Sequence, residues 1–235
     1  MPQIVQFDGL YKLPDQVLSA EVNKRFDYIF EAGVWGKSTD GGSVSGAGST
    51  IDYTETYRDQ LSQFLDNFSN KPKFFDAPCG DLNWVQEFTN RVEYIGGDIS
   101  GQLIAHLRAR NPELELMHFD ITKDVFPRAD IWHCRHCLFH LSLNDVYLAF
   151  KNFCKSEVSL ALITNHFLPD CVTFDIPTGS FRFLDLTNFP FHLPKPDLWL
   201  IDSDLQSGKC SMASGLWTRA QIAAGAENYR KNLGL

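Results

Sequence analysis

Two acidic residues, Asp76 and Asp98, each end a predicted strand at a spacing typical of nucleotide-binding sites. The first strand, at 73–77, leads into a turn that contains Gly80, and Asp98 follows about 20 residues after Asp76. In βαβ nucleotide-binding units, a glycine in this turn lets the backbone approach the ligand, and the later carboxylate binds the ribose hydroxyls. The spacing therefore predicts a nucleotide site with Asp98 as its ribose ligand.

The composition of this turn limits the kind of nucleotide that it suits. Residues 76–81 read Asp-Ala-Pro-Cys-Gly-Asp and lack the three glycines that cradle a dinucleotide pyrophosphate. A nucleoside without phosphates fits better, and S-adenosylmethionine (SAM) meets that description. Asp81, in the same turn, is expected to bind the ligand as well. Two alternatives stay open: Asp81 caps a helix beginning near Trp84, and Asp98 caps a helix beginning near Gly101.

A third acidic residue, Asp120, ends the next strand signal at a similar interval. Its carboxylate is suited to accept a hydrogen bond from an adenine amino group while Ile121 packs on the ring. The alternative is an ordinary loop aspartate. We expect Trp84 and Ile99, which lie beside these strand ends in the sequence, to line the same pocket.

The densest group of reactive side chains is the segment 132–141, which reads Trp-His-Cys-Arg-His-Cys-Leu-Phe-His-Leu. Zinc is one interpretation, but Cys134 and Cys137 have no second distant pair, and a strand leading into a loop would splay the side chains. We therefore expect no metal. The favoured interpretation places the segment at the end of the fourth strand, with Arg135 and His140 facing a substrate.

His140 is the candidate general base, because the unperturbed pKa of imidazole lies near working pH. A hydrogen-bonded structural histidine is the alternative. Thr164, Asn165 and His166 end the fifth predicted strand and are weaker candidates for substrate contact.

A Gly/Ser-rich stretch from 33 to 50, here called the lid loop, precedes a predicted helix at 51–68. Backbone N–H groups around Ser45, Gly46 and Ser49 would suit a carboxylate or polar tail of the ligand. A plain linker is the alternative. Aromatic residues on either side of these three would border a sulfonium or fill core: Trp35, Tyr53 and Tyr57.

Strand and helix signals alternate after residue 72, which predicts an α/β fold with a parallel sheet. Strands are predicted at 73–77, 92–97, 114–119, 129–134, 158–164, 198–202 and 211–218. A turn at Ser207-Gly208 separates the last two, which we expect to form a hairpin at one edge of the sheet. Helices are predicted at about 14–30, 51–68, 83–90, 101–110 and 143–154, with a short one at the C-terminus. We expect one domain over 1–235: N-terminal helices and the lid loop at 1–70, then a nucleotide-binding core at 71–235 with a cap insertion at 166–197.

Composition excludes several functional classes. The formal net charge of −8, with scattered Lys and Arg, argues against a nucleic-acid partner. No apolar stretch approaches the ~18 residues of a membrane span, and the N-terminus does not resemble a signal peptide. These features favour a cytoplasmic protein with no membrane partner, and reduced thiols rather than disulfides for its six cysteines.

In these residues the chain resembles the class I SAM-dependent methyltransferases. Within that class it is most similar to a bacterial, mostly uncharacterised group that has a Pro-Cys-Gly-Asp turn. The similar segments are Trp35-Gly36, Ser45–Ser49, Tyr57-Arg58, Asp76–Trp84, Tyr94–Ser100, Cys134–Leu141 and Gly179–Pro194. The resemblance covers about 26–202. It implies a Rossmann-like, mostly parallel sheet of seven strands in the order 3-2-1-4-5-7-6, with helices on both faces.

The resemblance also implies roles for individual residues. Asp76, Cys79 and Gly80 would line the methionine end of SAM, Asp98 the ribose and Asp120 the adenine. The narrower group usually reads Arg-Asp-x-x-x-His-Leu, and His136 stands at the Asp position here. If that Asp is the base of the group, its role passes to His136 or His140, or the activity differs.

We interpret the chain as an enzyme that transfers a methyl group from SAM to a small-molecule or glycan-linked acceptor. Oxygen is favoured over nitrogen, because a hydroxyl needs a base more than an amine does. Two alternatives remain. One is a catalytically silent SAM-binding or partner-docking module, and the other is a Rossmann-type oxidoreductase, for which the turn lacks Gly-x-Gly-x-x-Gly.

Overall fold

The structure is a computed structural model that describes residues 5–7, 10–36, 43–167, 173–203 and 211–234. Part of the lid loop, 37–42, and the predicted turn at Ser207-Gly208 lie outside the described residues.

Seven of the nine strands in the described ranges form one sheet. The strands are β1 Val5–Phe7, β2 Leu10–Lys12, β3 Lys73–Asp76, β4 Glu93–Asp98, β5 Glu115–His118, β6 Ile131–Cys134, β7 Leu160–Phe167, β8 Leu198–Ser203 and β9 Ser211–Thr218. β1 and β2 pair separately, and the main sheet has the order β5-β4-β3-β6-β7-β9-β8. Counted from β3, this is 3-2-1-4-5-7-6, which confirms the predicted fold class. β9 runs antiparallel to both neighbours, so β8 and β9 form the predicted hairpin at the sheet edge.

Six α-helices accompany the sheet in the described part of the chain. They are α1 Asp15–Leu18, α2 Val22–Ala32, α3 Glu55–Leu65, α4 Gly101–Arg110, α5 Leu143–Cys154 and α6 Arg219–Leu233. α4 and α5 have the predicted bounds because Ser100 and Ser142 cap their first turns through side-chain oxygens. The N-terminal helix predicted over 14–30 is instead two helices, α1 and α2.

Two further helix predictions were wrong in length or type. The segment predicted as a helix at 83–90 forms only the 3₁₀ turn Val85–Phe88. The C-terminal helix α6 is 15 residues long rather than short, and Thr218 and Gln221 form a capping box at its start.

Successive residues of β3 show how the sheet forms two cores. Side chains alternate across a strand, so Phe74 and Phe75 point to opposite faces and join different apolar clusters. The Phe75 cluster includes residues of α2, α5 and α6, and the Phe74 cluster includes residues of α3 and α4. Helices therefore cover both faces, which leaves the carboxyl edge of the sheet for a ligand.

The segment 173–197 has no regular secondary structure and is tied to the end of β7. The Leu186 N–H donates to Asn165 Oδ1 at 2.6 Å, and the Leu184 N–H donates to His166 Nδ1 at 3.3 Å. Arg182 is fully buried and donates from Nη1 to the Leu141 carbonyl. These bonds hold the segment against the sheet.

Within the ranges that the structure describes, no helix is both long and apolar enough to cross a membrane.

Candidate functional site

A large cavity opens at the carboxyl ends of β3, β4 and β6. It encloses about 1030 Å³ of empty space, part of it open to solvent. Three of the four acidic residues predicted for the nucleotide line it: Asp76, Asp98 and Asp120. All three candidate catalytic residues line it as well: Arg135, His136 and His140. The strand ends thus bring together the residues that the sequence singled out.

The turn after β3 is held close to the end of β4. The Cys79 N–H donates to the Gly97 carbonyl at 2.8 Å, and the Gly80 N–H donates to Asp98 Oδ2 at 3.2 Å. Gly80 has φ +54°, and a Cβ there would lie 2.7 Å from Ser45 Oγ. Glycine is therefore favoured here, both for the backbone conformation and for the close approach of the lid loop.

Asp98 is a buried carboxylate at the cavity wall. Its Oδ1 accepts from the Ser100 N–H at 2.9 Å, and it is 3 % exposed. Burial raises the pKa of Asp98 to about 6, although the Ser100 and Gly80 N–H groups oppose the shift. Ser100, rather than Asp98, caps α4, so the capping alternative for Asp98 does not hold.

Asp120, which follows the neighbouring strand β5, has a different electrostatic setting. Burial alone would raise its pKa, but hydrogen bonds from Thr122 and Lys123 outweigh burial and hold the pKa below its usual value. Ile99 and Ile121 line the cavity near the same strand ends. This part of the cavity therefore combines an ionised carboxylate with apolar surface, a combination that suits a flat heterocycle with an amino group.

Asp81 holds the lid loop instead of facing the cavity. Its Oδ2 accepts from the Val44 N–H at 2.6 Å and the Ser45 N–H at 3.3 Å, and its own N–H donates to Ser45 Oγ at 3.0 Å. Asn83 adds a bond from Nδ2 to the Ser49 carbonyl at 2.9 Å. Asp81 does not line the cavity, so its geometry indicates a positioning role for the loop.

The three lid-loop residues chosen from the sequence have different positions. Ser45 and Ser49 line the cavity, whereas Gly46 packs against Trp35, where a Cβ would come within 3.0 Å of the Trp35 Cβ. Trp84 also lines the cavity, as expected.

Asp76 is fully engaged by a buried network that the sequence did not predict. Tyr94 donates from its hydroxyl to Asp76 Oδ2 at 2.8 Å, and His133 Nδ1 lies 2.6 Å from Asp76 Oδ1. The other ring nitrogen of His133 lies 2.9 Å from the Tyr57 hydroxyl. Tyr57 was expected near a sulfonium or in the core, and the structure places it in the core beneath the cavity.

Arg135 is paired with Asp202 of β8. Its Nε and Nη2 donate to the two carboxylate oxygens at 2.9 and 2.6 Å. The guanidinium also lies 5.1 Å from the centre of the Tyr57 ring and 5.2 Å from that of Trp84. Asp202 is buried, yet the positive charge of Arg135 holds its pKa well below the usual value. Sequence reasoning missed Asp202, although it too ends a strand.

His136 follows Arg135 with a left-handed backbone, φ +53°. Its N–H donates to Thr164 Oγ1 at 3.1 Å, and its Nε2 lies 3.1 Å from Asp202 at an angle that makes no hydrogen bond. Burial and the neighbouring charge of Arg135 lower the pKa of His136. The ring is therefore neutral at neutral pH.

His140 lies against Trp35, with 4.9 Å between the ring centres. Its Nδ1 is 2.9 Å from the Ser180 carbonyl. A carbonyl only accepts hydrogen bonds, so Nδ1 carries the proton and Nε2 is the basic nitrogen. Burial lowers the pKa of His140 to about 3. His140 is therefore a weaker base than the free imidazole whose pKa made it the candidate base.

The weaker candidates at the end of β7 do not line the cavity. Thr164 accepts from His136, while Asn165 and His166 bind the segment after β7. The described cysteines are all free: Cys79, Cys134, Cys137 and Cys154.

Comparison with known proteins identifies the fold of this chain. No family model and no curated protein matches the sequence. The structure is similar to magnesium protoporphyrin IX methyltransferase (ChlM) from Synechocystis PCC 6803 with bound SAM, with TM-score 0.56 and 13% identity over 84% of this chain and 98% of that one. It is also similar to the DhpI–SAH complex, with TM-score 0.52 and 12% identity over 88% of this chain and 98% of that one. The chain thus has the Rossmann-like fold of these proteins, while the narrower Pro-Cys-Gly-Asp resemblance stays a prediction.

Proposed function

We propose that this chain is a SAM-dependent methyltransferase that acts on a small-molecule acceptor. The observation that carries the proposal is the buried Asp98 carboxylate, which faces a large cavity at a strand end and is joined to the single-glycine turn through the Gly80 N–H. The fold, shared with proteins whose structures hold SAM or SAH, supports it.

The residues around the cavity fit the parts of SAM. Asp98 would accept hydrogen bonds from the two ribose hydroxyls, and Asp120 would accept from the adenine amino group, with Ile99 and Ile121 on the ring faces. Asp76, Cys79 and Gly80 would surround the methionine end. When bound, SAM supplies a methyl group on a positively charged sulfur. A nucleophile attacks the methyl carbon in line with the carbon–sulfur bond, and the sulfur leaves as part of SAH.

The chain's contribution to the reaction is chiefly alignment. A cavity closed by the lid loop holds the two reactants in contact and excludes water, and alignment accounts for a large share of most enzymatic accelerations. A positioned base adds about 10²–10⁴-fold. His140 presents Nε2 as its basic nitrogen, and His136 is a second neutral imidazole that lines the cavity, so these are the residues placed to take the proton of a hydroxyl.

Oxygen is the favoured acceptor atom, because a hydroxyl must lose its proton during transfer and the neutral imidazoles at the site can accept it. A glycan-linked hydroxyl is one form of this acceptor. The lowered pKa values of both histidines also favour one alternative, a SAM-binding module without turnover, because each ring is a weaker base than free imidazole.

The proposal is tested by incubating the protein with SAM labelled at the methyl group and a panel of hydroxyl, amine and carboxylate compounds. We expect label in one or more hydroxyl compounds and SAH as the second product. SAH binding without transfer to any compound would favour the silent module, and binding of NAD in place of SAH would favour an oxidoreductase.

A further inference from the structure

Arg135 differs from the other cationic side chains of the protein in where it lies. It is the one Lys or Arg among the described residues that line the cavity. Its side chain is 4 % exposed, so it is largely withdrawn from bulk water. A guanidinium at the wall of a cavity can donate a charge-assisted hydrogen bond to an anionic group there.

The guanidinium is fixed before any ligand arrives. Two of its nitrogens bond to Asp202, and the aromatic rings of Tyr57 and Trp84 lie within about 5 Å of it. A side chain that is already ordered loses little conformational freedom on binding. Asp202 therefore acts as a positioning residue for Arg135.

The third nitrogen of the guanidinium has hydrogen-bonding capacity to spare. Nε and Nη2 account for both bonds to Asp202, and none of the described residues accepts a hydrogen bond from Nη1. Nη1 is not completely buried, because it is not among the fully buried polar atoms that lack a partner. Its side chain lines the cavity.

We propose that Arg135, held in place by Asp202, is a carboxylate-binding site in the cavity, its ligand being either the α-carboxylate of the SAM donor or a carboxylate of the methyl acceptor. Guanidinium matches the planar geometry of a carboxylate, which is why arginine is favoured for such sites. The donor assignment rests on the proposed function. The site gives Arg135 a binding role.

The donor source is tested by calorimetric titration with SAH and with its decarboxylated analogue, which lacks only the α-carboxylate. If the donor carboxylate binds Arg135, we expect wild-type protein to bind SAH at least tenfold more tightly than the analogue. Arg135→Gln should lose that preference and Arg135→Lys should keep part of it. Arg91→Gln is the matched control, because Arg91 bonds to Ser62 and Asp66 away from the cavity.

The acceptor source is tested with benzoate as the carboxylate probe. If the site serves the acceptor, SAH-saturated wild-type protein should bind benzoate, Arg135→Gln should not, and the preference for SAH over its analogue should be absent or unaffected by the substitution. The comparison of SAH with its analogue on wild-type protein needs no variant, so it holds even if a substitution prevents folding.

The proposal is overturned if wild-type protein binds SAH and the decarboxylated analogue equally and SAH-saturated protein does not bind benzoate. It is also overturned if folded Arg135→Gln retains every carboxylate preference of wild type. Absence of SAH binding to wild-type protein would contradict the proposed function instead. In that case, benzoate titration of the free wild-type and Arg135→Gln proteins still decides whether the carboxylate site exists.

Discussion

His133 and Asp76 lie side by side at the ends of β6 and β3, with 2.6 Å between His133 Nδ1 and Asp76 Oδ1. The two residues are direct partners in the parallel pairing of these strands. Tyr94 and Tyr57 complete a buried chain of four side chains that crosses the sheet beneath the cavity. Asp76 is therefore part of a buried hydrogen-bonded network below the cavity, and both of its carboxylate oxygens have partners before a ligand binds.

Removing the Tyr57 hydroxyl tests whether this network stabilises the fold. Tyr57→Phe leaves one nitrogen of the fully buried His133 ring without its partner, and an unsatisfied buried polar group costs about 1–3 kcal/mol. We expect the free energy of unfolding in urea to fall by that amount. Tyr147→Phe is the control, since Tyr147 is only partly buried and stacks on Tyr229. Equal effects of the two substitutions would argue against a structural role for the Tyr57 hydroxyl.

Donor binding should depend on pH through Asp98. Its pKa in the free protein is about 6, so the carboxylate is ionised at pH 7.5 and largely protonated at pH 5. Protonation removes acceptor capacity for the ribose hydroxyls, and SAH affinity should fall as the pH drops through 6. In Asp98→Asn the affinity should be lower and this dependence lost. An identical pH dependence in the variant would assign it to another group.

The same pKa gives a signed stability effect. The pKa of Asp98 is raised from 3.8 in the folded protein, so the unfolded chain releases this proton more readily. Asp98 therefore lowers stability as the pH rises from about 4 through 6. Asp98→Asn should remove that loss, which urea denaturation at pH 4.5 and 7.5 would measure. A larger loss in the variant than in wild type would contradict the burial argument.

Asp81 should control the lid loop without touching the ligand. Asp81→Ala removes the acceptor for two loop N–H groups, so residues 43–50 should exchange amide hydrogens faster and be cut more readily by protease. SAH should protect this stretch in wild-type protein and less in the variant. Equal protease sensitivity of wild-type protein with and without SAH would count against a lid.

The site divides into residues that the sequence located and residues that need the tertiary structure. Asp76, Asp98 and Asp120 were found because strand ends at one sheet edge converge, a consequence of parallel pairing alone. Asp202 carries the same signal, but its pairing with Arg135 depends on the β8–β9 hairpin folding back along β7. That long-range arrangement is not encoded in local spacing.

Burial explains the other differences. The low pKa of His140 arises from its burial among aromatic rings, whereas the Ser180 carbonyl, from a segment 40 residues away, opposes the shift. Asp81 was predicted to bind the ligand because it lies in the nucleotide turn. In the structure its carboxylate instead accepts hydrogen bonds from the lid loop. In both cases the residue type and position were read correctly, and the neighbour that fixes its role came from a distant segment.

If His140 is the base, the turnover rate should vary less with pH than it would with a base whose pKa is that of free imidazole. Because its pKa is about 3, the ring stays neutral above pH 5, and activity should show no acidic limb from His140 in that range. His140→Gln should lower the turnover rate by about 10²–10⁴-fold with little change in SAH affinity. A fully active His140→Gln protein would move the role to His136 or to no protein base.

Titration of SAH into wild-type and Asp98→Ala proteins tests the central claim most directly, because it asks whether the cavity binds the donor through its ribose. Hydrogen bonds to a charged group contribute about 1.5–3 kcal/mol, so the substitution should weaken binding by at least about tenfold. Asp66→Ala, a surface carboxylate paired with Arg91, should bind like wild type, and NAD should not bind to any of the three. Tight SAH binding that survives Asp98→Ala, or NAD binding in its place, would contradict the account.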